Sequence, residues 1–103
     1  MEMKVIWAES ARIQLENIFH YYQENANTET SGKIVKRITN RTIQLESNPE
    51  SGPLEPLLKA RKFKYRYLVE SNYKIIYRIE KNYIFIVSVF DCRQNPVKIK
   101  KEL

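Results

Sequence analysis

The residues whose types could do chemistry are cations and aromatics in the second half of the chain. Residues 59–66, KARKFKYR, hold five cations in eight positions without an acid, interleaved with Phe63 and Tyr65. This composition suits contact with a polyanion or with an acidic protein. The simpler alternative is a solvated basic strand edge, which guards against edge-to-edge aggregation.

Two more cations project together from the next predicted strand. Along residues 73–80 apolar side chains alternate with polar ones, which puts Lys74 and Arg78 on the same side. With Arg66 and Arg93 they form a set of four cations on or just beyond adjacent strands. Such groups bind phosphate and can stabilise the charge that develops when a ribose 2′-hydroxyl attacks phosphorus, which needs no metal. These four are the catalytic candidates if the chain cleaves RNA.

Cleavage would also need a proton acceptor and a proton donor. The side chains available are Tyr65, Tyr67, Tyr77, Asp91 or a lysine of lowered pKa. Binding alone uses the same cations and tyrosines, for phosphate pairing and base stacking, so the residues leave open whether the chain is an enzyme. The wider set predicted to bind a target or a nucleic acid is Lys64, Arg66, Lys74, Arg78, Arg93, Gln94 and Asn95.

The other common catalytic arrangements lack their parts. His20 is the only histidine, and it falls off the apolar stripe of its predicted helix, which indicates a surface residue. Cys92, the only cysteine, has no base nearby and no disulfide partner. The sequence contains no phosphate loop and no metal-ligand spacing, so we expect neither a cofactor nor a metal.

The segment FDCRQNP, residues 90–96, follows eight uncharged residues and has two interpretations. In the first, Asp91 caps the turn or pairs with Arg93, and Asn95-Pro96 simply ends the last strand. In the second, Arg93, Gln94 and Asn95 leave the sheet at a position from which they touch a target or a protein partner.

Hydrophobic periodicity places these residues on an α+β fold. Residues 3–7 form a first strand, and apolar spacings of three and four predict a helix over residues 8–24. A second helix, capped by Asn27 or Thr28, ends near Ser47 before Pro49. Three strands follow, at residues 62–69, 73–80 and 83–90, joined by turns short enough to require an antiparallel meander.

The predicted order β-α-α-β-β-β places two antiparallel helices on one face of a small twisted sheet and leaves the other face open to a partner. The register of the second strand decides which side chains lie on that open face. Either Tyr65 and Tyr67 or Lys64 and Arg66 lie beside Lys74 and Arg78, because a slip of one residue exchanges faces.

Size and charge set the remaining expectations. A chain of 103 residues suits a single domain, residues 1–103, whose tail at about 97–103 is a short helix or flexible. The net charge is +6, and residues 55–103 hold twelve Lys/Arg against five Asp/Glu, so the basic character lies in the second half. Without an apolar span or signal segment, we expect a basic cytoplasmic protein and no membrane association.

An ordered series of motifs resembles the RelE/ParE superfamily of bacterial toxins. The series is Trp7-x3-Ala11-x3-Leu15-x2-Ile18-x2-Tyr21, then Asn48-Pro49-x2-Gly52, then NYKIIYR at 72–78 and VSVFDCRQNP at 87–96. The resemblance implies the toxin of a type II toxin–antitoxin pair, of the kind called plasmid stabilisation proteins. It further implies growth inhibition, neutralisation by a cognate antitoxin that wraps the toxin, and a homodimer or a toxin–antitoxin hetero-oligomer.

The superfamily divides by target, and this chain departs from the nuclease branch. RelE-like members are ribosome-dependent mRNA endoribonucleases, whereas ParE-like members inhibit DNA gyrase. The arginine of the family's central strand falls on Lys74, the two lysines of the preceding strand fall on Tyr65 and Tyr67, and the C-terminal catalytic tyrosine has no match. The resemblance therefore favours a ParE-like gyrase inhibitor. A RelE-like nuclease and an inactive partner-binding relative remain the alternatives.

Overall fold

The computed structural model describes residues 3–103 as two long helices packed on a four-stranded sheet. In chain order the elements are strand β1 (Lys4–Trp7), helix α1 (Glu9–Asn25), helix α2 (Thr28–Ile43), strand β2 (Tyr65–Glu70), strand β3 (Tyr73–Glu80), strand β4 (Tyr83–Asp91) and helix α3 (Val97–Glu102). Two short 3-10 turns, Gln44–Glu46 and Pro56–Leu58, lie between α2 and β2. The predicted order of strands and helices is confirmed, with α3 added at the end.

The two long helices form an antiparallel hairpin on the sheet. Asn27 caps α2, because its side-chain oxygen accepts a hydrogen bond from the Thr30 N–H at 2.7 Å. Ser31 sits at the helix contact, where its buried hydroxyl donates to the Phe19 carbonyl of α1 at 2.9 Å. The small side chain lets the helices approach closely and also satisfies a carbonyl. No helix among residues 3–103 is long and apolar enough to cross a membrane.

The sheet has the strand order β1-β4-β3-β2, with β1 parallel to β4 and the other pairs antiparallel. The prediction for β2 was wrong at its start, since the strand begins at Tyr65 and not at residue 62. Residues 62–64 are exposed and out of the ladder, because the last β2 pair is Tyr65 with Arg78. The cations of the predicted strand start therefore stay in water instead of packing on the sheet.

Short backbone contacts also cover the outer edge of β2. The Tyr67 N–H donates to the Pro53 carbonyl at 3.1 Å, and the Glu55 N–H donates to the Tyr65 carbonyl at 2.8 Å. The segment from Pro53 to Glu55 thus runs along β2 like a short fifth strand. It satisfies donors and acceptors that an open edge would present to another chain.

Each face of the sheet has its own apolar core. The helix side buries Ile75 and Tyr77 of β3 against α1 and α2. The second face was expected to be open, and that expectation was wrong. Ile76 of β3 lies on the second face and is covered by Leu58 of the second 3-10 turn and Ile99 of α3. Apolar side chains in the middle of that face favour this cover, because burying each of them stabilises the fold by roughly 1.5–3 kcal/mol.

Candidate functional site

The predicted site residues do not converge on one point. The β2 register places Tyr65 and Tyr67, and not Lys64 and Arg66, on the face that carries Lys74 and Arg78. Lys64 is exposed just before β2. The seven predicted residues therefore divide among the middle of the second face, its far end beside the β3–β4 turn, the helix side of β2, and the turn after β4.

Lys74, in the middle of the second face, is held by a buried carboxylate. Its Nζ lies 2.8 Å from Oε2 of Glu55, and the two side chains are 20% and 1% exposed. The other oxygen of Glu55 accepts the Leu57 N–H at the start of the second 3-10 turn. The same Nζ lies 4.4 Å from the centroid of the Tyr67 ring. Lys74 therefore fastens the 3-10 turn to the sheet and is not a free cation.

Arg66 lies on the helix side of the sheet, opposite Tyr77 and away from Lys74. Its Nη1 donates to the Gly52 carbonyl at 2.8 Å and to the Glu50 carbonyl at 3.4 Å. Of the two predicted alternatives for β2, the structure thus has the one in which Tyr65 and Tyr67, and not Lys64 and Arg66, share a face with Lys74 and Arg78. The alternation of β2 puts its side chain against the loop that precedes the strand.

Arg78 lies between two aromatic rings at the far end of the second face. Its guanidinium carbon is 4.1 Å from the Phe63 ring centroid and 4.8 Å from that of Phe85. It also pairs with Glu80, two residues along the strand. The Arg78 side chain is only 19% exposed, although one edge of this stack faces water.

The turn after β4 forms the wall of a groove. Asp91 accepts three hydrogen bonds from Arg93, from the backbone N–H at 2.9 Å, Nε at 2.9 Å and Nη2 at 2.8 Å. These bonds hold the pKa of the Asp91 carboxyl below its usual range and raise the pKa of Arg93. The Arg93 side chain remains 50% exposed. The predicted pairing of Asp91 with Arg93 is confirmed.

The groove has a volume of about 430 Å³ and separates α1 from the end of β4. Tyr21 of α1, Arg93 and Gln94 line it, and Gln14 closes its floor by accepting the Val89 N–H at 2.8 Å. Asn95 serves a different purpose, since its side-chain oxygen accepts the Val97 N–H at the start of α3. The segment FDCRQNP therefore contains both a turn scaffold and four residues that line the groove, Phe90, Asp91, Arg93 and Gln94.

Tyr77, one of the tyrosines proposed for proton transfer, has a structural role. Tyr77 is fully buried, donates its hydroxyl to the Pro49 carbonyl at 2.7 Å, and has its pKa raised by burial. Burial likewise raises the pKa of Tyr73, whose hydroxyl contacts that of Tyr22 at 3.3 Å. Partial burial raises the pKa of the free Cys92 thiol, which removes it from the reactive range. None of these three groups ionises readily at neutral pH.

Several residues of this surface escaped sequence reasoning. Glu55 carried a weak signal, because an acid before Pro56 can cap a turn, and it does so here. Phe85 gave none, since a lone aromatic is as typical of a core as of a surface. Tyr21 entered only as the last position of the helix motif that carries the resemblance, with no role at a site assigned to it. Among residues 3–103 no group of three or more His, Cys, Asp or Glu side chains is arranged to hold a metal ion.

Comparison with known proteins agrees with this architecture. The family model "ParE toxin of type II toxin-antitoxin system, parDE" matches residues 5–96. A solved chain titled "Chromosomal ParDE TA system from P. aeruginosa" is similar in fold, with a TM-score of 0.73 and 19% identity over 87% of this chain and 96% of that one. No curated protein sequence gave a significant match. Because the family model spans most of the sequence, this chain belongs to the ParE toxin family of type II toxin–antitoxin systems.

Proposed function

We propose that this toxin inhibits bacterial growth by binding DNA gyrase and that a cognate antitoxin neutralises it. The observation that carries the proposal is the match to the ParE toxin family over residues 5–96. Within the superfamily, the ParE branch is the one that the resemblance links to gyrase, whereas the RelE branch cleaves mRNA. The antitoxin is expected to be acidic and partly disordered, complementary to a toxin of net charge +6.

The positions of the cations support binding over RNA cleavage. Transition-state stabilisation needs several donors that converge on one phosphate. Lys74 is neutralised by Glu55, and Arg66 lies on the opposite face against backbone carbonyls. Lys74 and Arg78 are four positions apart on one strand, a separation of about 13 Å. A ribosome-dependent nuclease remains the alternative that the test below addresses.

The groove beside α1 is the surface that we assign to the target. It combines an exposed tyrosine, Tyr21, with the half-exposed Arg93, and these two residue types are enriched at the energetic centres of protein interfaces. The bidentate contact with Asp91 holds the guanidinium in one orientation before binding. Such preorganisation lowers the entropic cost of association.

The direct test is gyrase-catalysed supercoiling of a relaxed plasmid in the presence of increasing amounts of the purified toxin. We expect loss of supercoiled product, which a cognate antitoxin should restore. Translating ribosomes programmed with mRNA form the second arm and should yield no cuts in the A site. Unaffected supercoiling at high molar excess, or cuts in the mRNA, would overturn the proposal.

Arg93→Ala tests the assigned surface. We expect the variant to fold, with a free energy of unfolding within about 1 kcal/mol of wild type, because an exposed ion pair contributes little. Gyrase inhibition should weaken about ten-fold or more if Arg93 is central to the interface. The matched control is Arg12→Ala, which removes the exposed pair with Glu16 on α1 and should leave inhibition unchanged.

Expression in cells separates the toxin from an inactive relative. Wild type should arrest growth when expressed without an antitoxin, and Arg93→Ala should arrest it less at the same protein level. Normal growth of cells that accumulate folded wild-type protein would identify a partner-binding module without toxicity. Loss of the soluble Arg93→Ala protein would instead make Arg93 a scaffold residue.

A further inference from the structure

The far end of the second face carries a partly exposed row of contacting aromatic rings with one arginine among them, which we call the aromatic row. It consists of Tyr83, Phe85, Arg78, Phe63 and Tyr65. Tyr83 and Phe85 have ring centroids 6.1 Å apart, the Arg78 guanidinium lies between Phe85 and Phe63, and Phe63 meets Tyr65 edge to face at 6.5 Å. The row crosses from β4 over β3 to β2. With neighbouring strands about 4.8 Å apart, this crossing covers about 10 Å.

The aromatic row remains accessible to a ligand. Tyr83 is 40% exposed and Phe63 is 37% exposed, which is high for large apolar rings. The chain's own cover, Leu58 and Ile99, packs on Ile76 and reaches only the half-buried Tyr65 at one end of the row. The row is therefore an unpaired aromatic surface at the opposite end of β4 from Arg93, about 20 Å away along the strand.

A cavity opens beside this row under the exposed basic loop, residues 59–64. Its volume is about 440 Å³. Phe63 and Tyr65 belong to both the row and the cavity wall, Leu54 and Leu58 add apolar surface, and Lys59 and Lys64 add charge. A flat aromatic group could enter between these walls while an attached anion meets the lysines.

The charges around this region have one predominant sign. Lys62 has its Nζ 5.8 Å from the Phe63 ring centroid, and Lys64 is exposed beside it. Lys81 lies in the turn that precedes Tyr83, and Lys4 of β1 is the strand partner of Tyr83 of β4. Two acids belong to this region: Glu80 pairs with Arg78, and Glu55 in the cavity wall pairs with Lys74. Rings that alternate with cations are suited to a ligand in which planar bases alternate with phosphates.

We propose that the aromatic row and the adjoining cavity bind a single-stranded nucleic acid. Bases stack on Phe63, Tyr65 and Tyr83, and the backbone phosphates contact the lysines of the basic loop. DNA and RNA share this chemistry. An acidic protein segment is less well matched, because it offers carboxylates without the planar rings that the row would stack. The proposal is independent of gyrase inhibition, which we assign to the groove beside α1.

The test measures fluorescence anisotropy of labelled oligothymidine and oligouridine of about 12 nucleotides with the intact purified toxin. We expect Phe63→Ala to weaken binding about five-fold or more, since stacking contributes about that much per base. Tyr21→Ala removes an even more exposed aromatic, in the groove beside α1, and should bind the oligonucleotide as wild type does. In the gyrase assay the order should reverse: Tyr21→Ala should weaken inhibition more than Phe63→Ala does. Failure of one proposal is therefore distinguishable from failure of the other.

Salt dependence provides a second, independent readout. Replacing Lys62 or Lys64 with alanine should reduce the slope of log Kd against log salt by about 0.7 each, the value for one contact with a single strand. Lys36→Ala on α2 is exposed in the same way and should leave the slope unchanged. Glu80→Gln should tighten binding, because it removes the carboxylate that competes for Arg78.

Three outcomes would overturn the proposal. Wild type that binds neither oligonucleotide at low salt excludes the site. Phe63→Ala protein with an unchanged melting temperature and unchanged affinity excludes stacking on the row. Displacement of the oligonucleotide by an acidic peptide that itself depends on Phe63 assigns the surface to a protein partner. A preference between oligothymidine and oligouridine that persists when oligodeoxyuridine, which has the same base as oligouridine, replaces oligothymidine identifies DNA or RNA as the ligand.

Discussion

At the scale of single residues, the Glu55–Lys74 ion pair links two parts of the chain that the sequence separates by 19 positions. The carboxylate is almost completely buried, and Lys74 is its charged partner. Removing one member of such a pair leaves the other charge uncompensated in a medium of low dielectric. The pair therefore matters for stability more than the exposed ion pairs on the helices do.

Glu55→Gln should lower the free energy of unfolding by about 2–4 kcal/mol. Glutamine keeps an acceptor for the Leu57 N–H, so the loss reports the charge and not the turn. Urea unfolding followed by circular dichroism measures the change. The control is Glu29→Gln, which removes the exposed pair with Lys33 and should cost less than about 0.5 kcal/mol. Equal effects of the two substitutions would contradict this assignment.

Acidification should weaken the ion pair between Asp91 and Arg93. The pKa of Asp91 is lowered in the folded state, chiefly by the Arg93 side chain, so the unfolded state binds more protons in the acid range. The contribution is complete above the unfolded carboxyl pKa of about 3.9 and is lost as the pH falls through the folded value.

We therefore expect the stability difference between wild type and Arg93→Ala to be constant from pH 7 to about 5 and to shrink toward pH 2. Urea unfolding of both proteins across this range measures it. In an Asp91→Asn background the same Arg93 substitution should show no such acid-dependent change. A stability difference between wild type and Arg93→Ala that grows on acidification would show that the Asp91–Arg93 ion pair does not stabilise the fold.

At the scale of elements, the loop between α2 and β2 is fixed by one close approach. The Gly52 N–H donates to the Tyr77 hydroxyl at 3.0 Å, and that hydroxyl donates to the Pro49 carbonyl. A Cβ on Gly52 would lie 2.3 Å from the Tyr67 carbonyl oxygen and 2.8 Å from the Tyr77 hydroxyl. The loop reaches β2 only because residue 52 has no side chain.

The two glycines of the chain should respond in opposite directions to alanine. Gly52→Ala is expected to destabilise the protein by about 2 kcal/mol or more, since backbone and a buried tyrosine must move. Gly32→Ala, exposed in α2 with no atom within 4 Å of the new Cβ, should stabilise it by about 0.5–1 kcal/mol. Thermal unfolding of both variants tests these two predictions. A Gly52→Ala protein as stable as wild type would contradict the close approach of residue 52 to Tyr67 and Tyr77.

At the scale of the whole molecule, the two apolar cores share the central strands. Ile75 and Ile76, adjacent in β3, point to the helix-side core and to the second-face core respectively. Loss of either cover removes packing from the strand that also supplies the other core. The sheet with both its covers should therefore unfold as one cooperative unit.

Ile99→Ala tests this coupling from one face to the other. Truncating this buried side chain should lower the free energy of unfolding by about 2–4 kcal/mol. Trp7 fluorescence reports the helix-side core. The unfolding midpoint that it measures should shift by the same amount as the midpoint measured by circular dichroism in the far ultraviolet. Ile43→Ala, on the exposed side of α2, should shift neither by more than about 0.5 kcal/mol. If the unfolding midpoint measured by Trp7 fluorescence is the same in Ile99→Ala as in wild type, α3 unfolds by itself.

The sequence predicted the elements well wherever periodicity or turn chemistry was strong. The apolar stripe of α1, the Asn27 cap and the bounds of β3 are as expected, because each depends on neighbours within a few positions. The start of β2 was misplaced, since aromatic residues among cations suit both a strand and an exposed loop. The site was harder to predict, because ion pairing joins residues that are distant in sequence.

What the sequence determined by itself is the class of the molecule: a basic α+β chain with the motif order of its toxin superfamily. Only the tertiary structure decided which charges are available. The β2 register separated Arg66 from Lys74, Glu55 neutralised Lys74, and aromatic rings enclosed Arg78. Periodicity fixes the side of a strand on which a residue lies. Whether its charge meets solvent or a buried partner depends on what the rest of the chain packs against it.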